Sequence, residues 1–350
     1  MADGAGEVPP GKERGVIGMP SEAQTQVMPA VPDDTPRTIV ARPSTGDKIF
    51  RGILRASGWS VFVITGLILV FLILRAIKAF KFMGFAFLTT SAWITQSPQH
   101  FGIAAILPFG VLIALIAMII AVPTGIAIAL YISEYAPPRL RQPLISLIDL
   151  MAAIPSIIFG LWGLFFLMPR ILGFESWLGR HLGFYKPSPA LASNYANSTF
   201  IAGVVVSLMV IPIVTSLSRQ VFSQAPQGER EGAYALGSTR WGMIRTVVLP
   251  FGRGGVIGAT MLGLGRALGE TIAVTLIIVP AWHFTFNMLQ SGSNSIASRI
   301  AVDFSSYPDP RSMGLSALMA AGLVLFAMTL IVNTLGAVVI GRSRSGQATG

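Results

Sequence analysis

Six apolar stretches recur along the 350-residue chain, at about Ser57–Leu74, Phe101–Tyr131, Leu144–Met168, Thr199–Leu217, Gly254–Ala281 and Met313–Ile340. Several exceed the roughly 18 residues that carry a helix across a hydrocarbon core about 30 Å thick. The pattern predicts an all-α membrane protein with six transmembrane helices, and an even number of crossings puts both termini on one side. Residues 1–50 are rich in Pro, Gly, Ser and Thr and lack apolar periodicity. Such a composition cannot bury a core, so the segment reads as a disordered tail. It does not read as a signal peptide, because no apolar core precedes a small-residue cleavage site. Residues 51–341 form the expected transmembrane domain, and 342–350 a second, short tail.

The basic residues choose an orientation. One face of the expected topology holds Lys48, Arg51, Arg55, Arg139, Arg141, Arg219, Arg230, Arg240, Arg245, Arg253, Arg342 and Arg344. The opposite face holds Arg75, Lys78, Lys81, Arg170, Arg180, Lys186, Arg299 and Arg311. The richer face is expected in the cytoplasm, with both termini. Pro108, Pro123, Pro155 and Pro212 fall inside spans, where each frees a backbone carbonyl and can kink its helix. Glycines such as Gly254, Gly255, Gly258, Gly263 and Gly265 allow close helix approach.

Composition agrees with the pattern and narrows the chemistry. Mean hydropathy is +0.68, with 53% hydrophobic and 11% charged residues, a composition that does not describe a soluble domain. There is no cysteine, so no disulfide framework and no Cys-based metal or redox centre. His100, His181 and His283 have no metal-ligand spacing, and no metal site is expected. The net charge of +10 is spread over loops and tail without a basic stripe interleaved with aromatics, so no nucleic-acid partner is expected. The run Gly6–Glu13 superficially matches a phosphate-cradling loop. Glu13 stands where a metal-binding hydroxyl belongs, Pro9 and Pro10 remove amide donors, and no strand precedes it. No catalytic residue or nucleotide site is therefore expected in this chain.

Two polar features remain. Between the fourth and fifth stretches stands Glu231-Gly232-Ala233, then after three residues Gly237, after nine more Val247, and one further on Leu249-Pro250. Glu231 would sit on a short helix whose small Gly232 and Ala233 let another surface approach. Gly237 can take the left-handed conformation that ends it. Ser238 can cap the next helix, and Pro250 is expected to stop that one. The second feature is Arg266 in the fifth stretch. It lies twelve residues past Gly254, roughly 18 Å along a helix and near mid-membrane. An arginine there costs about 2.5–3.5 kcal/mol on insertion scales, so it must face protein or water and find an anion. Glu270, one turn later, is the expected partner on the same helix face. A permanent structural ion pair is one reading. An anion pathway is the other, because a guanidinium fork suits an oxyanion. Asp149, near the inner end of the third stretch, is expected at the interface or beside a loop arginine.

The spacing around Glu231 and Gly237 resembles the EAA loop of ABC importer permeases, the cytoplasmic helix-turn-helix that docks on the ATPase subunit. It departs once, with Gly232 where Ala is usual. The run Gly265–Val274 resembles the fifth-span motif of phosphate-specific ABC importer permeases of the PstC type. Ile132–Pro137 and Ile154–Leu161 match the same family, and the likeness covers about residues 55–340. The resemblance implies a type I ABC importer permease fold in the plasma (inner) membrane and phosphate as substrate. It places Arg266, Glu270 and Thr271 in the substrate pathway, and Glu231, Gly232, Ala233, Gly237, Leu249 and Pro250 in an ATPase-docking loop spanning 219–250. It also implies a second, PstA-type permease, a PstB-type ATPase dimer that carries the ATP and Mg, and an external PstS-type phosphate-binding protein. Sulfate or molybdate as substrate, or an ATP-independent anion channel or carrier, remain the alternatives.

Overall fold

The structure, a computed structural model, describes residues 44–94, 98–181, 196–280, 288–289 and 291–345. The chain divides into two compact units, Met1–Trp59 and Ser60–Gly350. The described part of the first is the start of helix α1, Thr45–Met83. Residues 45–50, expected in the tail, are therefore helical. The Ser44 hydroxyl accepts from the Asp47 amide at 3.2 Å, and Asp47 pairs with Arg51 at 3.6 Å. A hydroxyl cap with an acid in the first turn starts a helix before its apolar run begins. The remainder of the expected tail, with Gly6–Glu13, lies outside the described residues.

A short helix α2, Ala86–Thr89, leads to a two-stranded antiparallel ribbon, β1 (Trp93–Ile94) and β2 (His100–Phe101), with Trp93 opposite Phe101. Helix α3, Ile106–Leu130, runs into a π-helical turn at Tyr131–Tyr135 and is followed by α4, Pro138–Ala153. Helix α5, Ser156–Trp162, continues through a π turn at Gly163–Leu167 into α6, Met168–His181. Helix α7 is Thr199–Ser223, and two short helices follow, α8 at Gln227–Ala235 and α9 at Arg240–Met243. A π turn at Ile244–Val248 joins α9 to α10, Leu249–Gly269; then come α11, Ile272–Ile277, α12, Ile296–Asp303, and α13, Met313–Ser345. Residues 342–345, expected in the C-terminal tail, thus continue the last helix.

Among the described residues, six helices are long and apolar enough to cross a membrane: Thr45–Met83, Ile106–Tyr135, Ser156–His181, Thr199–Ser223, Arg240–Gly269 and Met313–Val338. The number agrees with the apolar pattern, but two spans are shifted. The stretch Leu144–Met168 is cut at Ile154, whose backbone is extended (ψ 128°) before Pro155. Proline disfavours the α conformation in the residue before it, so α4 ends there and the span starts at Ser156. The stretch Gly254–Ala281 begins earlier, at Arg240, and ends at Gly269. Pro250 does not stop this helix. It occupies its first turn, just after a π turn has shifted the hydrogen-bond register.

Helix α7 is the most enclosed span. Val206, Val210 and Val214 on α7 share a cluster with Ile113 and Ala117 of α3, Ala267 near the end of α10 and Ala273 and Ile277 of α11. A second cluster joins Ala76 and Ala79 of α1 to Trp93, Phe101, Ile296 and Leu318. A third, with Ala129, Phe222, Met243, Ile244 and Val248, seats the α8–α9 hairpin on the ends of α3 and α7.

Candidate functional site

The fifth span breaks where the resemblance placed the substrate pathway. Helix α10 closes at Gly269, and Glu270 has an extended backbone (φ −66°, ψ 126°). Thr271 donates its hydroxyl to the Gly269 carbonyl at 3.0 Å, and α11 starts at Ile272. Arg266 is in the last turn of α10 with an exposed side chain, where a cation complements the negative end of the helix dipole. Glu270 is buried, and its Oε1 accepts the Ala273 amide at 3.2 Å, so its carboxylate caps α11. The expected Arg266–Glu270 pair is absent among the described salt bridges. With the chain out of the helix at Glu270, positions 266 and 270 no longer share a face.

A second break lies beside the first. Helix α5 starts after the rupture at Ile154–Pro155, and Gly160 packs on α11: a Cβ there would lie 2.9 Å from the Ala273 Cα. Asn197 donates to the Ile277 carbonyl at 2.6 Å and so holds the far end of α11. Discontinuous helices exposing backbone groups inside a membrane are tolerated where they are buried in protein or line a cavity.

The second predicted region is a helical hairpin. Gly237 has φ +80°. Its amide donates to Tyr234 at 2.9 Å, and the Ser238 amide to Ala233 at 3.1 Å, the paired bonds of a Schellman turn. The cap of α9 is Thr239 rather than Ser238: the Thr239 hydroxyl accepts from the Gly242 amide at 3.1 Å. Glu231 is exposed and accepts from Gln227 at 2.9 Å. A Cβ at Gly232 would meet nothing within 4 Å, so this chain's own packing does not require a small residue there. Leu236 (90% exposed), Trp241 and Tyr234 stand out from the hairpin. Ala233 and Leu249, by contrast, pack inward against the third cluster.

What holds the hairpin was not read from its motif. Arg230 Nη1 donates to both oxygens of the buried Glu134, at 3.0 and 2.8 Å. Its Nη2 and Nε donate to the Phe222 and Ala225 carbonyls at 2.6 and 3.2 Å. Arg141 donates to the Ile132 and Ser133 carbonyls, at 3.1 and 2.5 Å, satisfying acceptors that the π turn leaves open. Arg240 stacks over Tyr135 at 5.2 Å. One end of the spans thereby gathers Arg141, Arg230 and Arg240. The signal available beforehand was the acid in Ser133-Glu134-Tyr135, a charge at the end of a long apolar helix. Asp149, on α4, is exposed and forms none of the described salt bridges.

Two further buried acids lie elsewhere. Glu175, fully buried on α6, accepts from Ser198, which also caps α7 through the Ile201 amide at 3.1 Å. Asp303 pairs with Arg299 on α12. Burial pushes the Asp303 carboxyl up against the opposing pull of Arg299, and it lowers the Arg299 guanidinium against Asp303 and Tyr307. Among the described residues, no group of three or more His, Cys, Asp or Glu side chains could hold a metal ion.

The family described as binding-protein-dependent transport system inner membrane component matches residues 121–345. The phosphate transport system permease protein PstC 2 of Mycobacterium tuberculosis (strain ATCC 25618 / H37Rv) is 38% identical over 307 residues, covering 86% of this chain and 94% of that protein. The phosphate transport system permease protein PstC of Pasteurella multocida (strain Pm70) is 38% identical over 302 residues, covering 84% and 91%. Among solved structures, a bacterial ABC transporter involved in the import of the acidic polysaccharide alginate aligns at a TM-score of 0.49 and 17% identity, over 84% of this chain and 99% of that one.

Proposed function

This chain belongs to the binding-protein-dependent transport system inner membrane components, and on that premise we propose that it is the PstC-type permease subunit of an ATP-driven phosphate importer. It is a multi-pass membrane protein and a transporter component, not an enzyme in its own right. The observation that carries the substrate reading is the broken fifth span, where Arg266 projects exposed from the last turn of α10 and forms no salt bridge among the described residues. A guanidinium inside a membrane has to face another subunit or water. In this reading Arg266 meets a phosphate descending between this permease and a second, PstA-type permease. Its planar donor fork matches two oxygens of the anion. Glu270 holds the rim of the break by capping α11, and Thr271 contributes a hydroxyl beside it.

ATP and Mg belong to a separate PstB-type ATPase dimer on the cytoplasmic face. That dimer docks on the α8–α9 hairpin, whose exposed Leu236, Trp241 and Tyr234 and open Gly232 supply the contact surface. An external PstS-type binding protein delivers the phosphate. ATP-driven closure of the dimer pushes the hairpin, and Arg230 passes the displacement to α3 through Glu134. Both termini lie in the cytoplasm. The test is phosphate uptake by cells that depend on this chain, with sulfate and molybdate as competitors. Uptake blocked by Arg266→Gln and by loss of the ATPase, but unaffected by the competitors, supports the reading. Inhibition by sulfate or molybdate assigns another oxyanion, and uptake without the ATPase assigns a channel or carrier.

A further inference from the structure

Beside the hairpin, at the end of the spans, lies a cavity that the import reading does not use. It is small, about 60 Å³, and is lined by Ile132 and Ser133 of the π turn, Arg141 and Ile145 of α4, and Arg219 and Ser223 of α7. It adjoins an open groove of about 400 Å³ through shared walls at Ser133, Arg141 and Ser223. Arg141 spends Nε and Nη2 on carbonyls and keeps its remaining N–H groups. Arg219 is half-buried and has no hydrogen bond or ion pair among the described residues. Of the acids at this end, Glu134 is paired with Arg230, and Glu231, which lines the adjoining groove but not the cavity, accepts from the neutral Gln227 amide. The half-buried Arg219 and the exposed Arg141 thus line one small cavity, with Ile132 and Ile145 as its apolar walls and no carboxylate in its lining. Like charges lining one cavity repel, and an anion bound between them relieves that repulsion.

We propose that this cavity is a binding site for a phosphate group, supplied either by the headgroup of an anionic phospholipid or by inorganic phosphate. The guanidinium pair provides charge-assisted donors in fork geometry, the chemistry that selects phosphate oxygens. Basic pockets between spans at the membrane surface are where anionic headgroups lodge, and Ile132 and Ile145 suit the lipid. An occupant would bridge α4, the π turn and α7, and so brace the end of α3 to which Arg230 ties the hairpin. The site goes beyond the import reading, and its test measures binding, so failure of one leaves the other standing.

The assembled transporter is purified into nanodiscs of phosphatidylcholine with or without phosphatidylglycerol, and lipid retained after delipidation is measured by native mass spectrometry. Inorganic phosphate binding to lipid-depleted transporter is measured by equilibrium dialysis. Three variants accompany the wild type: Arg219→Gln, which removes the charge; Arg219→Lys, which keeps it; and Ile145→Trp, which fills the cavity with charge unchanged. Preferential retention of phosphatidylglycerol, reduced about tenfold by Arg219→Gln and by Ile145→Trp but less by Arg219→Lys, establishes the headgroup as occupant. The same pattern for dialysed phosphate, without lipid retention, establishes the free anion. If neither phosphatidylglycerol nor phosphate distinguishes wild type from Arg219→Gln, the site does not exist.

Discussion

Arg230 and Glu134, 96 residues apart in sequence, form a two-pronged salt bridge of 2.8 and 3.0 Å that fastens helix α8 of the hairpin to the end of α3. Glu134 is almost wholly buried, and Arg230 Nη2 and Nε also donate to the Phe222 and Ala225 carbonyls. One guanidinium thereby ties the hairpin to a spanning helix, beside the apolar third cluster and the π turn that continues α9 into α10. Ser133 adds a hydroxyl donor to Glu134 Oε1 at 3.1 Å, so the carboxylate is well satisfied.

Removing one partner of such a pair strands the other, at a cost of about 3–5 kcal/mol. Arg230→Ala should lower the thermal stability of the purified transporter and reduce phosphate uptake more than ATP hydrolysis, because the ATPase turns over without moving α3. Arg230→Lys should fall between, keeping a bond to Glu134 while losing the carbonyls. Parallel uptake and ATPase assays on the same preparation check this. Equal losses of both activities would reduce the bridge to a purely structural brace.

Gly237 is the hinge of the hairpin at φ +80°. Gly237→Val should strain the turn by about 1–3 kcal/mol and sharply reduce uptake while the permease still inserts. Gly237→Asn should be better tolerated, since Asn enters the left-handed region more readily. Immunoblots of membrane fractions paired with substrate-stimulated ATP hydrolysis provide the check. Normal stimulation in the Val variant would remove the hairpin from the ATPase contact.

Arg266→Gln should abolish uptake yet change thermal stability by no more than about 0.5 kcal/mol, because this arginine has no carboxylate partner among the described residues to strand. Arg266→Lys should rescue partly, restoring charge without the fork. Glu270→Gln keeps an oxygen to accept the Ala273 amide, so it should assemble. A structural pair would behave differently: either single change would destabilise, and the double change to Gln would recover both stability and uptake. Unfolding scans and uptake on these variants separate the outcomes.

A chain starting at Ser44 keeps the hydroxyl cap and the Asp47–Arg51 pair that begin α1. It should transport at the full-length rate. A chain starting at Lys48, which loses both, should insert less efficiently. Uptake normalised to membrane-inserted protein is the measurement, and a defect in the chain starting at Ser44 would assign residues 1–43 a role in transport.

The six spanning helices and the Gly237 turn were legible in the sequence because each rests on local physics. A long apolar run must cross the membrane as a helix, and a glycine at a helix end permits the left-handed turn. The breaks at Ile154–Pro155 and Gly269–Thr271 were not legible: the first lies within a continuous apolar run, and the polar Gly269-Glu270-Thr271 reads equally well as one half of a charged pair on an unbroken helix, since hydropathy does not register a ruptured backbone. Pro155 carried a local hint. The second rupture depends on contacts from distant elements: Gly160 against Ala273, Asn197 on the Ile277 carbonyl, and Glu270 turned onto the amide of Ala273. That is why Arg266 and Glu270, partners if the helix were continuous, are separated in the structure. Hydropathy set the number of spanning helices found among the described residues and the charges they carry, but not the bounds of the third and fifth. Tertiary packing decided where the helices break, and with them which charges meet, since a carboxylate's partner is set by the neighbours that bury it.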